Sequence, residues 1–354
     1  MRNDFPGLER QEKQLCYSSG CLIVIGCKSG ISEVSGLYGE SAKQDRSSGE
    51  PQLVNGILSI VIVNYNAGGI LADCVASIIS TGNQVQIIVV DNASSDSSLD
   101  CLTSSISGND KVSVIKNDTN LGFSAACNIG VRCAVGEYLL FLNPDCIVHQ
   151  EALLIMMEAF DESPSIGMVG GLILNPDATE QAGCRRAIPT PMRALMYVTG
   201  LSRLKAWKGS YFSDFRLNDE SLPEKVVMVE AISGACMMVR RSAMEDVGLL
   251  DEGYFMHCED LDWCMRFRNK GWGILFSPSA RVTHYKGTCS ESRPIFVEWN
   301  KHKGMVRFYY KYFRHQYPVA LLWLVSACVW LRFGLKTAYL FGSRAHGTSS
   351  RKRG

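Results

Sequence analysis

With 354 residues, 46% of them hydrophobic and 20% charged, the chain has ample apolar material for a core of one large or two small domains. Its 14 cysteines are scattered, many inside apolar runs, with no C-x-x-C pair, which argues against a disulfide framework and for reduced, buried thiols in a cytosolic compartment. The net charge of +1 conceals an asymmetry: from residue 301 onward there are 11 Lys and Arg and no acid, which leaves 25 basic and 35 acidic residues before it, and such a tail meets an anionic partner, a membrane surface or a nucleic acid.

Residues 1–55 are rich in Ser, Gly and charge and read as a poorly ordered extension. The early run Leu22–Ile25 is too short for the apolar core of a signal peptide. At Leu58 the character changes. The run ILSIVIVNYN is dense in β-branched residues and predicts a buried strand. A helix follows from Gly69 to Ser80, with Leu71, Val75, Ile78 and Ile79 on one face. QVQIIVVD, KVSVIKND and EYLLFL predict further strands, with a helix of small residues, GFSAACNIGVRCAV, between the last two. IGMVGGLILNPD is another strand, and residues 180–225, interrupted by Pro189, Pro191 and Pro223, read as an irregular insertion or flexible loop. VVMVEAISGACMMVRRSAMEDVG predicts strand, turn, strand and helix start. CEDLDWCMRFRNKGW predicts an amphipathic helix with acid at its start and base at its end, and GILFSPSARVTHY a last strand. Residues 295–317 alternate aromatic and basic groups, and Pro318–Leu331 is an apolar run of 14, short of the ~20 residues of a spanning helix. An in-plane or re-entrant membrane helix is the expectation there. The predicted class is α/β, a mostly parallel sheet flanked by helices over 56–294, followed by a basic, apolar helical tail (295–354).

Several strands end in polar clusters, and in open α/β sheets ligands bind at the carboxyl ends of strands. Asn64-Tyr65-Asn66 and Asp91-Asn92 could hold a base by stacking and by accepting a ring N–H, although each alone is ordinary turn chemistry. Asn143-Pro144-Asp145 offers a carboxylate for a divalent cation, or simply an Asx-Pro turn. Cys258-Glu259-Asp260-Leu261-Asp262-Trp263 holds three carboxylates, which either complement a helix dipole or supply a general base. His284 closes the final strand, where an imidazole is a structural residue or a metal ligand.

Taken together and in this order, SIVIVNYNAGGILADCVASI, IIVVDNASSDSS, NLGFSAACNIGV, YLLFLNPD, ISGACMMVRR and DEGYFMHCEDLDWCMRFRNKGW resemble glycosyltransferase family 2, most of all its bacterial rhamnosyltransferase-like branch. The resemblance runs from about Leu58 to about Tyr285 and implies a GT-A fold, a nucleotide-binding half (56–150) joined to an acceptor-binding half (151–294). It further implies that Asn64, Tyr65, Asn66, Asp91 and Asn92 hold the base and ribose, with Asn120, Asn128 and Asn143 near the nucleotide or sugar. Asp145 and His284 would bind Mg or Mn, and Asp260, beside Glu259, would be the catalytic base of an inverting displacement. The turn Ser233-Gly234 would approach the acceptor, and Trp263 would line the substrate site. Asn143 departs from the family's D-x-D, so one charge is missing from the metal site. The implied donor is a nucleotide-diphosphate sugar, first dTDP-rhamnose. The implied acceptor is a saccharide or lipid-linked saccharide for the cell envelope, at the inner face of the membrane.

A nicotinamide dehydrogenase would carry G-x-G-x-x-G after the first strand, where this chain has Asn66-Ala67-Gly68-Gly69. A nucleotidyltransferase would carry Arg and Lys there, and none is present. A non-catalytic nucleotide-sugar-binding scaffold is the remaining rival. The Leu, Trp and Val of the tail favour lipid over nucleic acid as its partner.

Overall fold

A computed structural model describes residues 24–27, 54–106, 109–198, 217, 221–287 and 293–350. Its centre is a ten-stranded sheet. In the first half β1 (Val24–Cys27), β4 (Val112–Asn117), β3 (Val85–Asp91), β2 (Val54–Asn64) and β5 (Gly136–Leu142) lie side by side in that order, all parallel. The crossovers run through α1 (Ile70–Ser80), α2 (Ser98–Ser105) and α3 (Phe123–Cys133). In the second half the sheet turns mixed. β11 (Cys236–Arg240) is antiparallel to both β5 and β7 (Ile166–Leu174), and β12 (Gly273–His284) is parallel to β7. β6 (Cys146–Val148) and β9 (Val227–Met228) pair antiparallel with β12. A separate two-stranded ribbon joins β8 (Arg185–Arg186) to β10 (Ala231–Ile232).

The strand at Leu58 is buried on both faces. Ile60 and Ile62 pack into one core with α1, α2 and α4 (Ala152–Glu158), while Val61 and Val63 pack into a second core. That second core is built on α3, α6 (Arg241–Val247), α7 (Glu259–Asn269) and α8 (Pro294–Phe313). A near-continuous β-branched run is what such a two-sided position requires.

Three expectations are corrected. Val24–Cys27, in the stretch read as poorly ordered, is an edge strand paired with Val114–Asn117; its short apolar run suffices for one ladder. The remainder of 1–53 lies outside the described residues. Residues 180–198 are not a loose insertion: they hold β8 and α5 (Pro191–Val198), anchored by a bidentate Arg193–Glu230 pair. The rest of that stretch, apart from 217 and 221–225, lies outside the described residues. Finally, the apolar tail is longer than its uninterrupted run. α9 (Val319–Ser350) is one continuous helix, and Val319–Phe341, 23 residues with a mean hydropathy of 1.6, is long and apolar enough to cross a membrane. Arg332 and Lys336 do not break the apolar face, because they continue the 3,4 spacing of Leu322, Val325 and Val329, the side that packs on the protein.

Candidate active site

β2 and β3 end in register, Asn64 opposite Asp91. Asn64 Nδ2 donates to Asp91 Oδ1 at 2.7 Å and lies 3.0 and 2.8 Å from the hydroxyls of Ser94 and Ser98. Its Oδ1 is buried without a partner among the described residues. Asp91 Oδ2 accepts the Ser94 N–H. Asn66 adopts a left-handed φ of 53° and its Oδ1 accepts the Ser95 N–H at 2.8 Å, which folds the β3 turn over the β2 turn. Tyr65, half-buried, sits between them. Asn92 spends its whole hydrogen-bonding capacity internally. Its Oδ1 accepts from Asn117 and the Leu121 N–H, and its Nδ2 donates to Asn120 Oδ1 and Gly122 O. Asn92 therefore shapes the loop at Asn120, which in turn caps the Gly122 N–H. Gly122, with φ +88°, admits no side chain: a Cβ there would lie 2.6 Å from Phe255 O.

The second cluster forms where β6 pairs with β12 and Cys146 falls opposite His284. The Tyr285 N–H donates to Asp145 O, locking the strand end onto the turn. His284 and Asp145 are 6% and 4% exposed. Gln181 Nε2 donates to Asn175 Oδ1 and His284 O, so its Oε1 is the atom facing His284 Nδ1 at 2.7 Å. An amide oxygen only accepts, and the imidazole proton is therefore on Nδ1. Nε2 faces Asp145 Oδ1 at 3.0 Å, with Asn143 Nδ2 at 3.3 Å. A proton or a cation between Nε2 and the carboxylate satisfies both. A neutral imidazole, a carboxylate and an outer amide that orients the ring are the donor set of a divalent site, so these residues fit a metal. Cys146 is close enough to join them, but its thiol donates to Ala235 O, and burial pushes its pKa well above the ordinary thiol range.

The third cluster opens α7. His257 and Cys258 both have left-handed φ, 64° and 71°, a strained pair that aims the first helical turn. Asp260 Oδ2 accepts from Arg186 Nη2 at 2.5 Å and from the Gly234 N–H at 3.1 Å, and Oδ1 accepts from the Leu261 N–H. Burial pushes the Asp260 carboxyl up, but the Arg186 charge and these hydrogen bonds outweigh it and hold the group below its ordinary value. Burial and the adjacent Asp260 charge push Glu259 the other way, and its Oε2 has no partner among the described residues. The pair thus splits into an ionised Asp260 and a protonated Glu259.

The turn Ser233-Gly234-Ala235 bridges the last two clusters, since the Asn143 N–H donates to Ala235 O while the Gly234 N–H reaches Asp260. A Cβ on Gly234 would meet Asp260 Cβ at 3.2 Å, so the glycine makes room for Asp260. Two expected contacts are corrected. Trp263 is fully buried between Phe141 and Phe267 and donates its indole N–H to Gly248 O, so it is core. Asn128 staples α3 to the loop at Leu250, bonding Leu250 N and O and Glu252, so both its amide protons are committed within the protein and the residue is buried. Arg186 and Gln181 escaped the sequence reading altogether.

Residues 59–248, more than half of the chain, match the model of glycosyl transferase family 2. The chain belongs to that family. It is 28% identical over 266 residues, 71% of this chain and 83% of the other, to an N-acetylglucosaminyl-diphospho-decaprenol L-rhamnosyltransferase of Mycobacterium tuberculosis. It is also 29% identical over 157 residues, 44% of this chain and 54% of the other, to rhamnosyltransferase WbbL of Escherichia coli. Among solved structures, GalNAc-T7 with UDP, GalNAc and Mn2+ superposes with a TM-score of 0.50 at 20% identity, over 67% of this chain and 44% of that one. A Pyrobaculum calidifontis mannosyltransferase with GDP-Man and Mn2+ gives 0.50 at 14% identity, over 82% and 79%. These structures share the GT-A type of fold with the present glycosyltransferase.

Proposed function

We propose that this glycosyltransferase moves a sugar, rhamnose from dTDP-rhamnose as first choice, onto a saccharide carried on a lipid diphosphate, with inversion at the anomeric carbon. The observation that carries the reading is the pair of facing clusters, Asp145–His284 on one side of the Ser233–Ala235 turn and the ionised Asp260 on the other. The donor's base and ribose would lie at the β2 and β3 ends, against Tyr65, Asn66 and Asp91. Asp145 and His284 would hold a Mg or Mn ion, which supplies charge neutralisation to the departing diphosphate. Asp260, held by Arg186 and the Gly234 N–H, accepts the proton of the acceptor hydroxyl as it attacks from the face opposite the diphosphate. A single displacement inverts the carbon. The choice of rhamnose and of a lipid-linked acceptor follows the relatives' activities. The protein would work at the inner face of the cell membrane, docked through α9.

The test is a panel of nucleotide sugars, dTDP-rhamnose among them, offered with Mn or Mg and with chelator. Transfer of one sugar that chelator abolishes, with a product of opposite anomeric configuration by NMR, is the expected result. Transfer that survives chelator would remove the metal assignment to Asp145 and His284, and retained configuration would remove the single displacement.

A further inference from the structure

Between α5, α8 and α9, beside Arg186, lies a cavity of about 370 Å3 to which the reaction just described assigns no group besides Arg186. Its floor is apolar, formed by Ala187, Leu195, Met305, Tyr309, Val325 and Val329. Its charges are of one sign: Arg186, Lys286, Lys301 and Arg332 line it together with His302, and no Asp or Glu does. Among the described residues, Lys286, Lys301 and Arg332 form no ion pair, and Glu298, one turn before His302, is already bonded to Lys336. The uncompensated charge is felt inside the cluster. Loss of hydration and, against the pull of Glu298, the nearby Lys336, Lys286 and Arg332 hold the Lys301 ammonium below its ordinary value. Burial, opposed by Glu298 and reinforced by Arg332 and Lys301, does the same to His302.

Like charges gathered around an apolar hollow repel one another until an anion enters. We propose that this cavity receives the diphosphate of the lipid-linked acceptor, with Lys286, Lys301 and Arg332 as its counter-charges and the lipid chain leaving along α9. The inference rests on the transfer reading above. Three features favour this occupant. Arg186 both lines the cavity and grips Asp260, so an anion bound there lies one side chain from the base. On either side of Arg332 along α9 the free face presents Trp323, Leu324, Leu331 and Leu335, each at least half exposed, a path for a hydrocarbon chain. The donor's own diphosphate is accounted for at Asp145 and His284, across the Ser233–Ala235 turn.

The full chain in detergent micelles, with chelator present to silence the metal site, is titrated with farnesyl diphosphate, inorganic pyrophosphate and farnesol. Farnesyl diphosphate is expected to bind at least tenfold more tightly than either of the others. The double substitution Lys301→Gln, Arg332→Gln, at two cavity-lining positions, is expected to weaken it at least tenfold while leaving nucleotide-sugar binding with Mn unchanged. Equal affinity for pyrophosphate would reassign the cavity to a free anion, and equal affinity for farnesol to an apolar ligand. Unchanged binding in the double variant would overturn the proposal. If the wild type binds farnesyl diphosphate through these cations but no nucleotide sugar, the anion site stands and the donor reading alone fails.

Discussion

Within four residues at the start of α7, three carboxylates meet three different surroundings. Glu259 is buried and held protonated, Asp260 is ionised against Arg186, and Asp262 is enclosed by Arg266, Lys311 and the Tyr312 hydroxyl. Only Asp260 is both charged and, through Arg186, one side chain from a cavity. Asp260→Asn keeps the shape and loses the base; transfer should fall about 1,000-fold while the donor Kd, read by calorimetry, stays put. Arg186→Gln removes the main influence that lowers the Asp260 pKa. The carboxylate is the working form, so activity is lost on acidification through that pKa. In the variant the acid limb of the kcat/KM profile should therefore move to higher pH, and an unmoved limb would separate Arg186 from the base. Asp145, Asp260 and His284 could be read from the sequence because each follows a strong local pattern, a strand end or a helix start. Arg186 and Gln181 could not, because the stretch around them has no periodicity and their partners lie 74 and 103 residues away. Trp263 was misread for the opposite reason: nearness in sequence to Asp260 says nothing about which side of a helix faces the core.

At the scale of elements, Asp262 also binds α7 to α8. Its Oδ1 accepts from Lys311 at 2.6 Å and Tyr312 at 2.9 Å, while Oδ2 accepts from Arg266 at 3.0 Å. Asp262→Asn should cost about 2–3 kcal/mol in urea unfolding, toward the low side for a broken buried pair, since Lys311 remains a third exposed and keeps Asp251. The long strands β2, β3, β5, β7 and β12 were legible because each is a run of apolar residues bounded by turn formers. The two-residue strands β8 and β10 were not, for ladders that short are dictated by the partner strand and leave no pattern of their own, whereas β9, equally short, falls inside the strand expected at VVMV. α2 was obscured by its composition, since SLDCLTSS buries only Ser98 and Leu102.

The molecule as a whole divides by strand direction: an all-parallel half that ends in the Asn64–Asp91 cluster, and a mixed half that carries His284, Arg186 and Asp260. The basic tail of the sequence becomes α8 and α9, which pack on the second half and leave a broad apolar face outward. Trp299, Trp330 and Phe333 join the two helices, so α9 is held along the protein. Removing the chain from Pro318 onward should shift the protein from the membrane to the soluble fraction; for the intact chain, high salt should leave it in the membrane and detergent should release it. An unchanged distribution on deletion would dismiss α9 as the anchor.

The stretch from Gln181 to Arg186 touches both clusters, Gln181 orienting the imidazole of His284 and Arg186 gripping Asp260. Five peptide units at full extension reach no more than about 18 Å. That short tether is a ruler laid between the two ends of the proposed displacement. Neither end can drift far from the other while both hooks hold, and one residue inserted between them would lengthen the ruler without touching a single group that does chemistry.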